Sequence, residues 1–92
     1  MSRVAPNSVP RLAPHVRMRF DAVRDRWVVM APERMLVPDD IAADVLRRLD
    51  GGLTVAALTG LLAADYQASR EEIAGDVTEM LQDLVDKGFV DV

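Results

Sequence analysis

The sequence lacks cysteine, contains a single histidine and has no long apolar run. Without cysteine the chain can form neither a disulfide framework nor a thiolate metal site. His15, the only histidine, lies near the start of the chain with no cysteine to assist it. These absences disfavour a Ser-His-Asp arrangement, a cysteine nucleophile and a histidine-rich metal site. Nothing in the sequence indicates an enzyme, a metal or a bound cofactor.

The apolar residues are too scattered to form a membrane segment. No stretch approaches the roughly 18 residues that span a bilayer, and the first residues lack the apolar centre of a signal peptide. At 92 residues, the chain is near the lower size at which one hydrophobic core maintains a fold. We therefore expect a single soluble, cytoplasmic domain with no membrane partner.

The net charge of −4 is unevenly distributed. Residues 1–37 contain seven arginines and three acidic residues, whereas residues 38–92 contain four basic and twelve acidic residues. The second part of the chain therefore carries a net charge of −8. This asymmetry limits the partners that the second part can bind.

The first 15 residues differ in composition from the rest of the chain. Pro6, Pro10 and Pro14 interrupt this stretch, which shows little periodicity. Such a composition favours an extended or flexible segment. We therefore predict a flexible N-terminal tail over residues 1–15 and a folded domain over residues 16–92.

Three short segments that follow are predicted strands. Apolar and charged residues alternate over residues 16–20, which is typical of a half-buried strand. Residues 27–31 are rich in β-branched and aromatic side chains, and residues 34–37 form a third run that Pro38 ends. Because their connections are short, the three strands can pair only as antiparallel neighbours in a meander.

From Asp39 onward the apolar spacing becomes helical and predicts three helices. Asp39 or Asp40 can cap the first helix, Thr54 caps the second, and Ser69 with Glu72 forms a capping box for the third. The apolar stripe of the first helix consists of Ile41, Val45, Leu46 and Leu49. Three strands followed by three helices predict an α+β domain with a three-stranded antiparallel sheet, similar in outline to a winged helix-turn-helix.

The third predicted helix carries an acidic face that consists of Asp76, Glu79, Asp83 and Asp86. Paired catalytic carboxylates need a cleft, which a helix surface does not supply, so this face is either solvated or meets a basic patch on a partner. In a DNA-binding protein of this outline, the same helix would enter the major groove and meet phosphates. Its negative charge opposes that role, and we expect no nucleic-acid partner.

Several motifs occur together over residues 11–91. They include the Arg-rich first strand, the Trp-led second strand that ends in Ala31-Pro32-Glu33, and the Asp50-Gly51-Gly52 turn before Thr54. In this combination the sequence closely resembles the pyrroloquinoline quinone biosynthesis protein D family. The resemblance implies a peptide chaperone that binds the ribosomally made precursor peptide of the quinone cofactor and presents it to a radical S-adenosylmethionine (SAM) enzyme.

The resemblance also implies where the peptide binds. In related recognition domains the leader peptide adds as a strand beside the third strand and lies against the third helix. The corresponding strand positions in this sequence are Arg34, Met35, Leu36 and Val37. The corresponding helix positions are Ile73, Asp76, Val77, Met80, Leu81 and Leu84.

The residues themselves leave two alternatives open. A meander leaves the third strand as an edge with unpaired backbone groups, which can accept a peptide but can also pair two copies of the chain. In the first case the protein is a peptide-binding monomer or weak homodimer. In the second case it is a homodimer with a structural or assembly role. The apolar stripe of the third helix, including Met80, can form a groove wall or belong entirely to the core.

Overall fold

The computed structural model describes residues 3–92 and confirms the predicted α+β class, including the three-stranded antiparallel sheet. The elements in chain order are β1 (Arg11–Leu12), β2 (Arg17–Asp21), β3 (Arg26–Ala31), β4 (Arg34–Leu36), α1 (Asp40–Arg47), α2 (Val55–Tyr66), α3 (Arg70–Asp86) and β5 (Val90–Asp91). The three predicted strands are β2, β3 and β4. The two-residue strands β1 and β5 pair with each other in a separate sheet.

The three-stranded sheet has β3 at its centre, antiparallel to both neighbours. Val29 of β3 is fully buried in the core and lies opposite Leu36 of β4. Because side chains alternate along a strand, Trp27 faces the same side, where Arg47 of α1 lies 4.7 Å above its ring. Phe20 packs edge-on against Trp27 at 5.4 Å between ring centres. The helices therefore cover one face of this sheet.

The three helices begin where the sequence predicts. The Asp39 carboxylate accepts from the Ala42 N–H at 2.8 Å, the Thr54 hydroxyl from the Ala57 N–H at 3.1 Å, and the Ser69 hydroxyl from the Glu72 N–H at 3.2 Å. These bonds satisfy N–H groups that have no partner within the first helical turn. Within residues 3–92, no helix is long and apolar enough to cross a membrane.

The core lies between the sheet and the helices. Its most deeply buried large side chains come from β3, all three helices and β5, and are Val29, Val45, Leu58, Leu62, Leu81 and Val90. Each helix supplies part of its apolar stripe to this cluster. The short strand β5 completes the core after α3, because Phe89 and Val90 are both buried.

The N-terminal segment differs from the predicted tail. In the described part of that segment, residues 3–15, the carbonyls of Pro6 and Ser8 accept from the N–H groups of Ala56 and Val55, both at 2.9 Å. Pro10 is buried, and β1 pairs with β5. The segment therefore caps α2 and belongs to the folded unit, although its proline-rich composition gave no periodic signal. Met1 and Ser2, the rest of the predicted tail, lie outside the described residues.

Candidate functional site

Strand β4 forms an open edge of the three-stranded sheet. In the described part of the chain it pairs only with β3, with Ala31 opposite Arg34. Pro32 and Glu33 connect the two strands, and Glu33 has φ 62°, the left-handed conformation that follows proline in a type II turn. Because a two-residue connection makes Ala31 and Arg34 a hydrogen-bonded pair, the next residue, Met35, directs its N–H and C=O away from β3. The edge can therefore accept a further strand at Met35.

The side chains along this edge expose apolar surface. Met35 is 60% exposed, and Val37, immediately after the strand, is 41% exposed. Leu36 points inward and packs against the core. Proteins normally protect such an edge with charges, proline or a bulge, because unpaired backbone groups recruit other strands. Between Arg34 and Pro38 this edge has no such protection, as expected from the sequence.

Arg34 holds the start of β4 against the end of α3. Its Nη1 donates to the Lys87 carbonyl at 2.5 Å, and its guanidinium lies 4.5 Å from the centre of the Phe89 ring. Gly88 has φ +83°, and a Cβ there would lie 3.3 Å from the Arg34 Nη2. Position 88 therefore requires glycine for its backbone conformation and leaves little space for a side chain. The side chain of Arg34 thus positions the edge strand beside α3.

The α3 residues that the resemblance assigns to a peptide-binding wall differ in exposure. Ile73 and Met80 are half-buried and Asp76 is exposed, and all three border a cavity that α3 shares with α1. Val77, Leu81 and Leu84 are at most 5% exposed and belong to the core, and of these three only Val77 also lines the cavity. These two leucines offer no surface to a ligand. Their assignment to a peptide-binding wall is therefore wrong, because the side of α3 that carries Leu81 and Leu84 packs against the other elements of the fold.

The cavity between α1 and α3 has a volume of about 460 Å³ and begins where the chain leaves β4 for α1. It is lined by Asp39, Ile41, Ala42, Val45, Leu62, Tyr66, Ala68, Glu72, Ile73, Asp76, Val77 and Met80. The structure therefore brings four of the expected residues together on the α3 side. The α1 side was missed. Ile41 belongs to the apolar stripe predicted for its helix, but it is 60% exposed and lines this cavity.

A polar network fixes the wall that α2 contributes to the cavity. The Tyr66 hydroxyl donates to Asp44 Oδ2 at 2.6 Å, Arg48 Nε donates to Asp44 Oδ1 at 2.9 Å, and Arg48 Nη2 lies 2.6 Å from Asp65 Oδ2. The hydrogen bond from Arg48 lowers the pKa of Asp44 below its ordinary value. The hydrogen bond to Asp44 in turn raises the pKa of Tyr66. The aromatic wall is thus held in place at neutral pH by ionised partners.

The rim of the cavity is acidic. Asp39, Glu72 and Asp76 lie on it, and none of the ion pairs within residues 3–92 includes any of the three. The first two are at helix starts, where the helix dipole favours a negative charge, but Asp76 lies further along α3. Over the same residues, no group of three or more His, Cys, Asp or Glu side chains is placed to hold a metal ion. The arrangement offers an open strand edge, an apolar cavity and an anionic rim.

Comparison with known proteins identifies relatives over nearly the whole chain. Residues 26–90 match the family model for coenzyme PQQ synthesis protein D (PqqD). A protein of Rhodopseudomonas palustris (strain HaA2), named PqqA binding protein, is 53% identical over 87 residues, which cover 95% of this chain and 85% of that protein. Both comparisons include β3, β4 and the three helices.

Solved structures agree with this assignment. The solution NMR structure of the PqqD truncation of Methylobacterium extorquens PqqCD, a stand-alone RiPP (ribosomally synthesized and post-translationally modified peptide) recognition element, has a TM-score of 0.84 and 38% identity. The match covers 97% of this chain and 95% of that chain. The structure of lasso peptide synthetase B1 complexed with the leader peptide has a TM-score of 0.78, and the match covers 92% of this chain and 100% of that chain. Because the two sequences are only 20% identical, this similarity shows a shared fold and nothing more. This chain therefore belongs to the coenzyme PQQ synthesis protein D family.

Proposed function

We propose that this chain is a non-catalytic peptide-binding protein that takes up the PqqA precursor peptide as a further strand on β4. The observation that carries the proposal is the open edge at Met35, which lies beside exposed apolar side chains and is held against α3 by Arg34. The name of the Rhodopseudomonas relative, PqqA binding protein, and the recognition-element fold of the Methylobacterium structure support it.

Strand addition accounts for both affinity and selectivity. Main-chain hydrogen bonds at Met35 hold any extended peptide, and alternate side chains of that peptide then face opposite ways. One set points toward α3, where Ile73 and Met80 expose apolar surface above the buried Val77. The unbranched side chain of Met80 can adjust to ligands of different shape. The other set lies beside the exposed Met35 side chain on the outer face of the sheet.

We further propose that the bound peptide is presented to a radical SAM enzyme, in the cytoplasm where a ribosomally made peptide is released. The resemblance to the family supports this step, and the lack of cysteine agrees with a division in which the enzyme holds the iron–sulfur cluster. Titrating the enzyme with this protein, with and without peptide, tests the proposal. The peptide complex should bind the enzyme, and failure of both forms to bind would contradict presentation.

We propose a monomer as the form that binds peptide. Each copy carries a net charge of −4, so pairing two copies through β4 would bring together two chains of like charge. A three-residue edge supplies few hydrogen bonds to offset that repulsion. Sedimentation velocity over a concentration range tests this point. A stable dimer that dissociates when peptide is added would instead support pairing of copies through the same edge.

Calorimetric titration with synthetic PqqA peptide tests binding itself. We expect heat of binding at tens of micromolar, with amide chemical-shift changes concentrated in residues 34–37 and 73–80. Met80→Ala should weaken binding by about threefold or more, because it removes part of the apolar surface. The control Val23→Ala alters a residue that is 91% exposed in the β2–β3 turn and should leave binding unchanged. No heat, or shifts confined to the N-terminal segment, would refute the site.

A further inference from the structure

We infer that the cavity between α1 and α3 selects its ligand by sequence, and takes a large apolar side chain of the bound peptide that lies next to a Lys or Arg. This inference rests on the proposed binding of a peptide to β4 and adds the chemistry that the peptide must carry. It follows from three observations: the lining of the cavity, the charges on its rim, and its position along the chain relative to β4.

The lining of the cavity favours an apolar side chain of the ligand. Ile41 lines the cavity and is 60% exposed, and Ile73 and Met80 are only half-buried. Val45, Leu62 and Val77 form a fully apolar floor beneath them. Exposed aliphatic surface around a concave site is stabilised when an apolar ligand group displaces water from it. A volume of about 460 Å³ has room for a leucine, phenylalanine or tryptophan side chain.

The acidic rim of the cavity favours a cationic side chain of the ligand. The Asp39 carboxylate accepts the Ala42 N–H, so capping of α1 explains its position. Glu72 lies in the first turn of α3 and complements that helix dipole. Asp76 has neither role, is exposed, and lies one turn of α3 from both Ile73 and Met80. Three carboxylates without a paired cation in the described residues produce a negative potential at the mouth of an apolar pocket. A Lys or Arg beside the apolar side chain complements both features.

The chain path places the cavity close to the strand edge. Met35 is the residue whose backbone faces the open edge, and Asp39 on the cavity rim follows four positions later. Four extended residues span at most about 14 Å. A peptide that pairs with Met35 therefore reaches the cavity within about four of its own residues. The selected apolar and basic pair should lie within that spacing of the residue opposite Met35.

A set of synthetic PqqA peptides tests the inference. In each member one Lys or Arg is replaced by an uncharged analogue, glutamine for lysine or citrulline for arginine, and binding is measured by calorimetry. We expect one replacement to weaken binding to the wild-type protein about three- to fivefold. The same replacement should have no further effect on Asp76→Asn, because the interacting carboxylate is already gone. Glu79→Gln removes one negative charge from α3 outside this cavity and should still discriminate the two peptides.

Two variants test the contribution of the apolar lining of the cavity to binding. Ile41→Ala should weaken binding of the unmodified peptide about tenfold, because it removes aliphatic surface that the ligand covers. Leu61→Ala changes a residue of similar exposure, 49%, that does not line the cavity, and should have no effect. Equal effects of the two variants, or a set of peptides in which no charge replacement weakens binding, would overturn the inference.

The outcomes separate this inference from the proposed function. If the unmodified peptide binds with amide shifts at residues 34–37 but ignores Asp76→Asn and Ile41→Ala, the strand addition stands and the selective cavity is refuted. If the unmodified peptide gives no heat at all, both are refuted.

Discussion

Replacing Met35 with proline should abolish much of the peptide affinity while leaving the fold intact. The N–H of Met35 points away from β3, so in the free protein its removal breaks no ladder bond. Proline is tolerated on an edge strand when its ring faces solvent, and the preceding Arg34 is already extended, as a residue before proline must be. Met35→Pro therefore removes the docking edge selectively.

The magnitude follows from the ladder geometry. A peptide residue opposite Met35 exchanges two hydrogen bonds with it, and proline eliminates one and obstructs the other. Each bond contributes a net ~1 kcal/mol, so the loss is about 2 kcal/mol, or about thirtyfold in Kd. Calorimetric titration with synthetic PqqA peptide measures this change. Met35→Leu, which retains the N–H and a similar side-chain volume, should bind within about threefold of the wild type.

A second proline variant tests the register. Leu36 pairs with Val29 in the hydrogen-bonded position and packs against the core. Leu36→Pro should therefore lower the free energy of unfolding by about 3 kcal/mol, as seen in urea titration, whereas Met35→Pro should change it by less than about 1 kcal/mol. The reasoning fails if Met35→Pro is folded and binds the peptide as tightly as the wild type. It also fails if the two proline variants are equally unstable.

Three further outcomes follow from the fold. Leu58→Ala empties a fully buried core position and should lower the free energy of unfolding by about 2–5 kcal/mol in urea titration; an unchanged midpoint would contradict the core assignment. Deleting residues 1–10 removes two carbonyl acceptors at the start of α2 and should lower stability by about 2 kcal/mol, whereas a loose tail would be deleted without effect. The lowered pKa of Asp44 means that its stabilisation is complete above its ordinary pKa of 3.8 and is lost as the pH falls through the lower value in the folded state. Urea midpoints measured from pH 7 down to pH 2 should therefore fall more steeply in acid for the wild type than for Asp44→Asn, and parallel curves would refute this linkage.

The parts of the fold that depend on local interactions were predictable from the sequence. The caps at Asp39, Thr54 and Ser69 each bond to a residue three positions away, and the pattern of side-chain types reveals them directly. The meander is likewise determined by short connections that permit only one pairing. The open edge at β4 is a consequence of that topology, so it too could be expected before any coordinates.

The parts that depend on distant partners were not predictable. Nothing in the composition of the N-terminal segment shows that the Ser8 carbonyl accepts from Val55, because the two residues are far apart in sequence. The α1 side of the cavity was not predictable for the same reason. Ile41 fits the apolar spacing of its helix, and only the arrangement of α1 against α3 decides that it is exposed rather than buried. Periodicity identifies an apolar face but does not identify what covers it.

Two sets of contacts around the candidate site also affect the free energy of peptide binding. Arg34 joins the start of β4 to the carbonyl end of α3, and the bonds among Tyr66, Asp44 and Arg48 join α2 to α1. Each of these contacts connects two elements of the protein before any ligand is bound. We therefore expect the protein to lose little conformational entropy when it binds a peptide, because the cavity between α1 and α3 already exists in the free protein. Under the proposed function, the entropic cost of ordering is then mainly that of the peptide, and we expect the affinity to depend on whether the peptide side chains fit the cavity and its acidic rim.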